Sequence, residues 1–180
     1  MLMKMDQSCL LIVDVQERLA PAVAEHQRVI ERCGVLMRAA ARLGVPIVVS
    51  EQYPKGIGHT VAPLRELTPS EAVLEKVHFS CGADPALRER LATLTRPQVI
   101  VAGMEAHVCV LQTVLDLAGQ GYKVFVVADA CSSRDPRNAD AAFERMRRNG
   151  IEIVTTEMVV FEWLHRAATP EFKELMTLIK

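Results

Sequence analysis

The 180-residue sequence lacks several features that would point directly to a function. Its five cysteines are an odd number without a CxxC pair, which argues against a disulfide framework or a structural zinc site. No apolar run is long enough to span a membrane or to act as an export signal, so we expect no membrane association and a cytoplasmic location. A net charge of −1 provides no electrostatic attraction for nucleic acid. No glycine-rich phosphate loop is present, so no nucleotide cofactor is implied.

What is present indicates one α/β domain over residues 1–180. Half of the residues are hydrophobic, which is enough for one substantial core. Short runs rich in Val and Ile alternate with helical patterns, which predicts a three-layer αβα, doubly wound (Rossmann-like) sheet of about six mainly parallel strands. The predicted strands cover 9–14, 46–50, 72–76, 98–102, 123–128 and 152–155. The predicted helices cover 26–43, 85–95, 107–120, 138–149, 156–166 and 170–179.

Three chemically distinct side chains follow predicted strands. Asp14 and Lys76 each end an apolar strand, and Cys109 lies beyond Gly103, close to the start of a helix. The carboxyl ends of parallel strands meet at one crevice, so we expect the three to lie close together. A helix N-terminus and a nearby ammonium both favour a thiolate, so we expect a lowered pKa for Cys109. Asp14 would then take the thiol proton as general base and return it to the leaving group.

The same residues carry a resemblance to a known family. Asp14-Val15-Gln16, Lys76 and the run Gly-Met-Glu-Ala-His-Val-Cys-Val at 103–110 are similar to the three signature segments of the isochorismatase-like cysteine hydrolases. Segments 50–58, 129–134 and 170–180 resemble the branch of isochorismatase domain-containing proteins more than the nicotinamidases or the aryl-siderophore isochorismatases. Taken singly, Asp14 also suits a loop or a helix cap and Lys76 an exposed strand end; their occurrence with Cys109 in the family order favours the catalytic interpretation.

The resemblance has further implications. It implies a triad of Asp14, Lys76 and Cys109, and a cis peptide between Met104 and Glu105. Backbone N–H groups near this peptide, including that of Cys109, would bind the oxyanion. It also implies dimers or larger homo-oligomers. Apolar residues of the last two predicted helices suit either such an interface or the core: Phe161, Trp163, Leu164, Phe172, Leu175 and Met176.

A metal is not expected. Nicotinamidases of this superfamily bind a divalent cation through an Asp-x-His motif after the second strand, and this sequence has Ser50-Glu51-Gln52-Tyr53 there. His59 and His78 are isolated, and a lone histidine is more often structural than a ligand. His107 lies two residues from Cys109, a spacing that points the two side chains to different faces of a helix.

The segment 51–71 is interpreted as a loop that lines the crevice, and we expect it to shape the substrate pocket. Gln52, Tyr53, Ile57 and Phe79 are candidate pocket residues, with packing of the loop as an equal alternative. Arg134 suits a substrate carboxylate, or an ion pair within the loop or with a neighbouring subunit.

The sequence therefore predicts a metal-independent cysteine hydrolase without a cofactor. It would cleave a C–N, amide-type bond of a small molecule through a thioester on Cys109. One alternative is an isochorismate-type vinyl-ether hydrolase, which needs no cysteine nucleophile. Another is a catalytically silent interaction protein on the same fold.

Overall fold

A computed structural model, which describes residues 1–179, shows a sheet of six parallel strands in the order β3-β2-β1-β4-β5-β6. The strands are β1 (Ser8–Val13), β2 (Ile47–Gln52), β3 (Val73–Lys76), β4 (Gln98–Met104), β5 (Lys123–Ser132) and β6 (Glu152–Val154). The chain winds outward from the centre of the sheet in both directions. This confirms the predicted doubly wound α/β fold.

Helices cover both faces of the sheet. They are α1 (His26–Leu43), α2 (Pro54–Ile57), α3 (Ala62–Arg65), α4 (Pro85–Thr93), α5 (Leu111–Gly119), α6 (Pro136–Arg148), α7 (Thr156–Leu164) and α8 (Pro170–Ile179). The apolar residues of α1, α3, α7 and α8 pack on one face, and those of α4, α5 and α6 pack on the other. Among the described helices, none has the length and apolar composition needed to cross a membrane.

The apolar residues of the last two helices divide between core and surface. Trp163, Leu164 and Leu175 are buried in the core. Phe161 is 42% exposed and packs edge-on against Phe172, with ring centroids 6.3 Å apart. Packing within the chain therefore accounts for most of these residues, and Phe161 alone keeps a large exposed area.

The segment predicted as a loop over 51–71 has more structure than its sequence indicates. Strand β2 continues to Gln52, and two single-turn helices, α2 and α3, follow it. Each has a proline in its first turn, where the fixed φ of proline favours helix and no N–H is needed. The predicted loop was therefore wrong in detail, because periodicity does not detect helices of one turn.

The start of the predicted helix 107–120 also differs. A π-helical turn, Ala106–Val110, comes first, and α5 begins at Leu111. Single π-helical turns are frequent at functional sites. Cys109 lies in this turn, directly after the central strand β4, at the point where the strand order reverses. In doubly wound sheets this position opens the ligand crevice.

Gly103 allows β4 to approach β1 at this point. Its φ is +131°, and a Cβ at this position would lie 2.0 Å from the carbonyl oxygen of Val13. No side chain fits there, because the atom in the way is backbone. The close packing of the two central strands beside the crevice therefore requires glycine.

We expect Gly103→Ala to lower the free energy of unfolding by more than about 4 kcal/mol, because the added methyl group forces the two central strands apart. Gly119→Ala is the matched control: nothing lies within 4 Å of its Cβ position, so it should be neutral or stabilising by up to about 1 kcal/mol. Urea denaturation of both variants provides the measurement. A Gly103→Ala protein as stable as the control would contradict the close approach.

Candidate active site

The site is built around a fully buried ion pair. Asp14 follows β1 in a left-handed conformation, with φ +52°. Its Oδ2 accepts a hydrogen bond from Lys76 Nζ at 2.7 Å, and neither side chain has solvent exposure. Ser50 Oγ donates to the other carboxylate oxygen at 2.6 Å. The carboxylate is thus fixed in orientation by a cation and a hydroxyl group.

Lys76 uses all of its donors inside the protein. Besides Asp14, its Nζ donates to Gln52 Oε1 at 2.6 Å and to the carbonyl oxygen of Phe79 at 3.1 Å. An ammonium has three N–H groups, so none is left for a substrate. Lys76 therefore supplies a fixed positive charge rather than a mobile hydrogen-bond donor.

Cys109 completes the group predicted from the sequence. It is 6% exposed, and its thiol interacts with the carboxylate of Asp14. The π-helical turn after β4 brings the sulfur to the ion pair formed beyond β1 and β3. The structure thus brings together the carboxylate, the ammonium and the thiol.

The charge state of the thiol differs from the expectation. Burial raises the pKa of Cys109, and the Asp14 carboxylate raises it further, against an opposing effect of Lys76. The predicted lowering of this pKa is therefore wrong: desolvation and the adjacent carboxylate outweigh the ammonium and the helix N-terminus. Burial also raises the pKa of Asp14 in spite of Lys76, which makes Asp14 a stronger base.

A second thiol, Cys81, lies near the ion pair. Burial raises its pKa to about 11, with a further contribution from Asp14. Its backbone N–H donates to Thr113 Oγ1 at 2.9 Å, and its side chain is fully buried. These contacts are those of a side chain that packs in the core.

Ser50 was not identified as a site residue from the sequence. The parallel register of β1 and β2 places it opposite Val13, beside Asp14. A polar residue within an apolar strand was the available signal, but the register that aligns it with Asp14 is not readable from the sequence.

The segment after β4 has the geometry that the family resemblance implies. The peptide bond between Met104 and Glu105 is cis. The carboxylate of Glu105 accepts hydrogen bonds from Arg134, at 3.1 Å from the backbone N and 2.8 Å from Nε. Burial by itself would raise the pKa of Glu105. The hydrogen bonds and the charge of Arg134 outweigh burial, so the pKa of Glu105 is lowered. Arg134 was predicted to bind a substrate carboxylate or to form an ion pair. The structure shows an ion pair with Glu105 of the same chain.

The remaining pocket candidates lie on the side of β2 and β3. Tyr53 and Phe79 are 55% and 53% exposed, and Ile57 is half-buried in α2. A cavity of about 330 Å³ is lined by Tyr53, Pro54, Lys55, Glu75, Lys76, Val77 and Asp84. Of the loop candidates, Tyr53 alone lines this cavity, and a substrate-binding role for Gln52, Ile57 and Phe79 stays a prediction.

The residues at the sequence position of the nicotinamidase motif make contacts within the chain. The buried carboxylate of Glu51 accepts bonds from Thr60 N and Oγ1, at 2.6 and 2.7 Å, and lies 2.9 Å from His59 Nδ1. His78 Nδ1 lies 3.3 Å from Asp84 Oδ2. Among residues 1–179 no cluster of three or more His, Cys, Asp or Glu side chains is arranged to hold a metal ion.

Comparison with known proteins assigns the family. The family model of the isochorismatase domain matches residues 8–158. The chain belongs to the isochorismatase family. It is 40% identical over 178 residues to isochorismatase domain-containing protein 2 of Pongo abelii, covering 96% of this chain and 83% of the relative. This confirms both the family and the branch that the sequence motifs indicate.

Two other comparisons add detail. Isochorismatase domain-containing protein 1 of Danio rerio is 42% identical over 168 residues, covering 93% of this chain but only 59% of the relative's length. A solved structure described as the MAR1 ribonuclease of Caenorhabditis elegans superposes with a TM-score of 0.93 at 36% identity, covering 99% of this chain and 92% of that one. The fold is thus shared across nearly the whole chain.

We expect Lys76→Met to lower the free energy of unfolding by about 3–5 kcal/mol, because it leaves the Asp14 carboxylate buried without a counter-charge. The double variant Asp14→Asn/Lys76→Met should recover part of that loss. Urea denaturation of the full double-mutant cycle measures the coupling. The exposed pair of Arg148 and Glu144 in α6 is the control, and its removal should change stability by less than about 1 kcal/mol. Additive effects at Asp14 and Lys76 would contradict a tightly coupled pair.

We expect Asp14→Asn to shift the alkylation of Cys109 to lower pH. The carboxylate's negative charge disfavours the thiolate, so removing it lowers the pKa of Cys109. Mass spectrometry of the Cys109 peptide after brief iodoacetamide treatment, between about pH 6 and 10, gives the alkylation rate as a function of pH, and a displacement of this curve along the pH axis reports the displacement of its midpoint. Glu75→Gln, which removes an exposed carboxylate next to Lys76 in sequence, should leave it unchanged. An unchanged or higher midpoint in Asp14→Asn would show that this carboxylate does not act on the thiol.

Proposed function

We propose that this chain is a cysteine hydrolase that cleaves the C–N bond of a small-molecule amide. The observation that carries the proposal is a buried thiol placed against a carboxylate that is itself held by an ammonium. Membership of the isochorismatase family supports hydrolytic chemistry in general. The bond, the substrate and the roles of the three residues are part of the proposal.

The first half-reaction forms a thioester. Asp14 accepts the thiol proton as the sulfur of Cys109 attacks the amide carbon, which gives a tetrahedral oxyanion. Asp14 then donates this proton to the leaving nitrogen, the C–N bond breaks and the amine departs. The raised pKa of Asp14 suits both steps, since the group must accept and then release a proton.

The second half-reaction regenerates the enzyme. Asp14 removes a proton from a water molecule, whose oxygen attacks the thioester carbon. The C–S bond breaks, the carboxylic acid leaves, and the proton on Asp14 returns to the sulfur. Since the Lys76 N–H groups are committed, backbone N–H groups around Cys109 are assigned to the oxyanion.

We also propose an intracellular, self-associating protein. Its five cysteines are unpaired, which is typical of a reducing compartment. Large apolar side chains are exposed at Tyr53, Val77 and Phe79, beyond the C-terminal ends of β2 and β3, and at Phe161 in α7. Sedimentation velocity measures the assembly state directly, and a monomer across the accessible concentration range would refute self-association.

We expect Cys109→Ala to lower kcat/KM for a substrate amide by at least about 10³-fold, because no other nucleophile replaces the thiol. The search for that substrate uses a panel of small primary and secondary amides with detection of released amine. Stalled wild-type reactions should show an acyl adduct on the Cys109 peptide. Cys33→Ala, which removes a fully buried thiol in α1, is the control and should keep its activity per folded molecule.

Two further assays separate the alternatives. Pyruvate release from isochorismate that persists in Cys109→Ala would establish vinyl-ether hydrolysis without a cysteine nucleophile. RNA is included because the relative of known structure is described as a ribonuclease. Cleavage of RNA, or inactivity throughout together with a stoichiometric protein partner, would overturn the amide proposal.

A further inference from the structure

Gln52 occupies a position between the loop and the ion pair. It is the last residue of β2 and lies opposite Lys76 in the register of β2 and β3. Its side-chain oxygen accepts from Lys76 Nζ at 2.6 Å, and its side-chain nitrogen donates to the carbonyl oxygen of Val77 at 3.0 Å. Both polar ends of the amide are therefore bonded to β3 and the residue that follows it.

The backbone of Gln52 is fixed by another buried amide. Gln16, which has no solvent exposure, accepts from the backbone N–H of Gln52 at 2.7 Å and donates to its carbonyl oxygen at 3.0 Å. The same Gln16 nitrogen donates to the carbonyl oxygen of Gly58 at 2.6 Å. Since Gln16 lies two residues beyond Asp14, the end of β1 holds the end of β2 in place.

We infer that Gln52 is a positioning residue for Lys76, and through it for Asp14 and Cys109, rather than a residue that binds substrate. Its effect on turnover rests on the proposed function. Its effect on the ion pair and the thiol does not. Gln16 supports this arrangement by holding the backbone from which the Gln52 side chain extends.

The neutrality of Gln52 matters as much as its position. Of the three acceptors of Lys76, one is a carboxylate and two are neutral oxygens. Asp14 is therefore the only charged group that accepts a hydrogen bond from Lys76. A carboxylate at position 52 would share that charge and place a second negative group near Asp14 and Cys109, which raises the pKa of both.

A substrate-binding role makes a different prediction. If Gln52 contacted substrate, its replacement would raise KM and leave the titration of Cys109 in the free protein unchanged. If it positions Lys76, replacement changes that titration and lowers kcat with little change in KM. The two roles are therefore separated by a measurement without substrate and by one with substrate.

The first experiment measures the pH midpoint of Cys109 alkylation by iodoacetamide in wild type, Gln52→Glu and Gln27→Glu. Gln27 is exposed on α1, so its variant adds the same charge at a distance from the ion pair. We expect an upward shift of about half to one pH unit in Gln52→Glu and none in Gln27→Glu. Equal midpoints in the two variants would overturn the inference.

The second experiment uses Gln52→Met, which keeps the volume of the side chain and removes its hydrogen bonds. We expect kcat to fall about 10- to 100-fold with KM within about threefold, after thermal unfolding has verified that the variant is folded. A large rise in KM at unchanged kcat would assign Gln52 to substrate binding. If no amide is hydrolysed by wild type, the proposed function fails and the alkylation midpoints still decide the role of Gln52.

Discussion

The burial of an ammonium and a carboxylate side by side is the constraint on which the site depends. Each group loses its hydration, and direct attraction compensates only if the remaining donors and acceptors are satisfied. The surroundings of Asp14 and Lys76 meet this requirement, with Ser50 on the carboxylate and Gln52 and the carbonyl oxygen of Phe79 on the ammonium. Ser50, Gln52 and the carbonyl oxygen of Phe79 therefore supply the hydrogen bonds that the buried ion pair requires.

Sheet topology makes this arrangement available. Lys76 ends β3, which is two strands from β1, so its side chain must cross roughly 10 Å to reach Asp14. The extended lysine side chain covers part of that distance above β2, and the Asp14 side chain with the 2.7 Å hydrogen bond between them covers the rest. On the other side of β1, Gly103 lets β4 approach closely enough for the following turn to bring in Cys109. Two long-range contacts across the sheet thus assemble a site from segments far apart in sequence.

The sequence was sufficient for the sheet and for the three central residues. Runs of Val and Ile gave the strands, and polar residues at strand ends gave Asp14 and Lys76, because parallel strands share one functional edge. The single-turn helices of the segment 51–71 were missed for lack of periodicity. Ser50 was missed as well, because it meets Asp14 only through the lateral register of β1 and β2, and Gln52 and Phe79 were predicted as pocket residues rather than as partners of Lys76.

The direction of the pKa shift of Cys109 could not be predicted from the sequence, for a different reason. Its position near a helix start and a lysine is visible in the sequence, and both features favour a thiolate. The depth of the sulfur and the placement of Asp14 between charge and thiol are properties of the packed structure. With the side chain 6% exposed, the loss of hydration dominates and the sign of the shift reverses.

A neutral thiol at rest is compatible with nucleophilic catalysis because of how charge moves in this site. Transfer of the proton from Cys109 to Asp14 shifts one negative charge from oxygen to sulfur and leaves Lys76 unchanged. The number of charges in the buried site stays the same, so the transfer does not require a new ion pair to be created in a medium of low polarity. The fixed ammonium can stabilise the negative charge at either atom. Lys76 is hydrogen-bonded to Asp14 and acts on Cys109 through its charge, so it favours the carboxylate and neutral thiol at rest and keeps a positive charge near the sulfur when the proton moves.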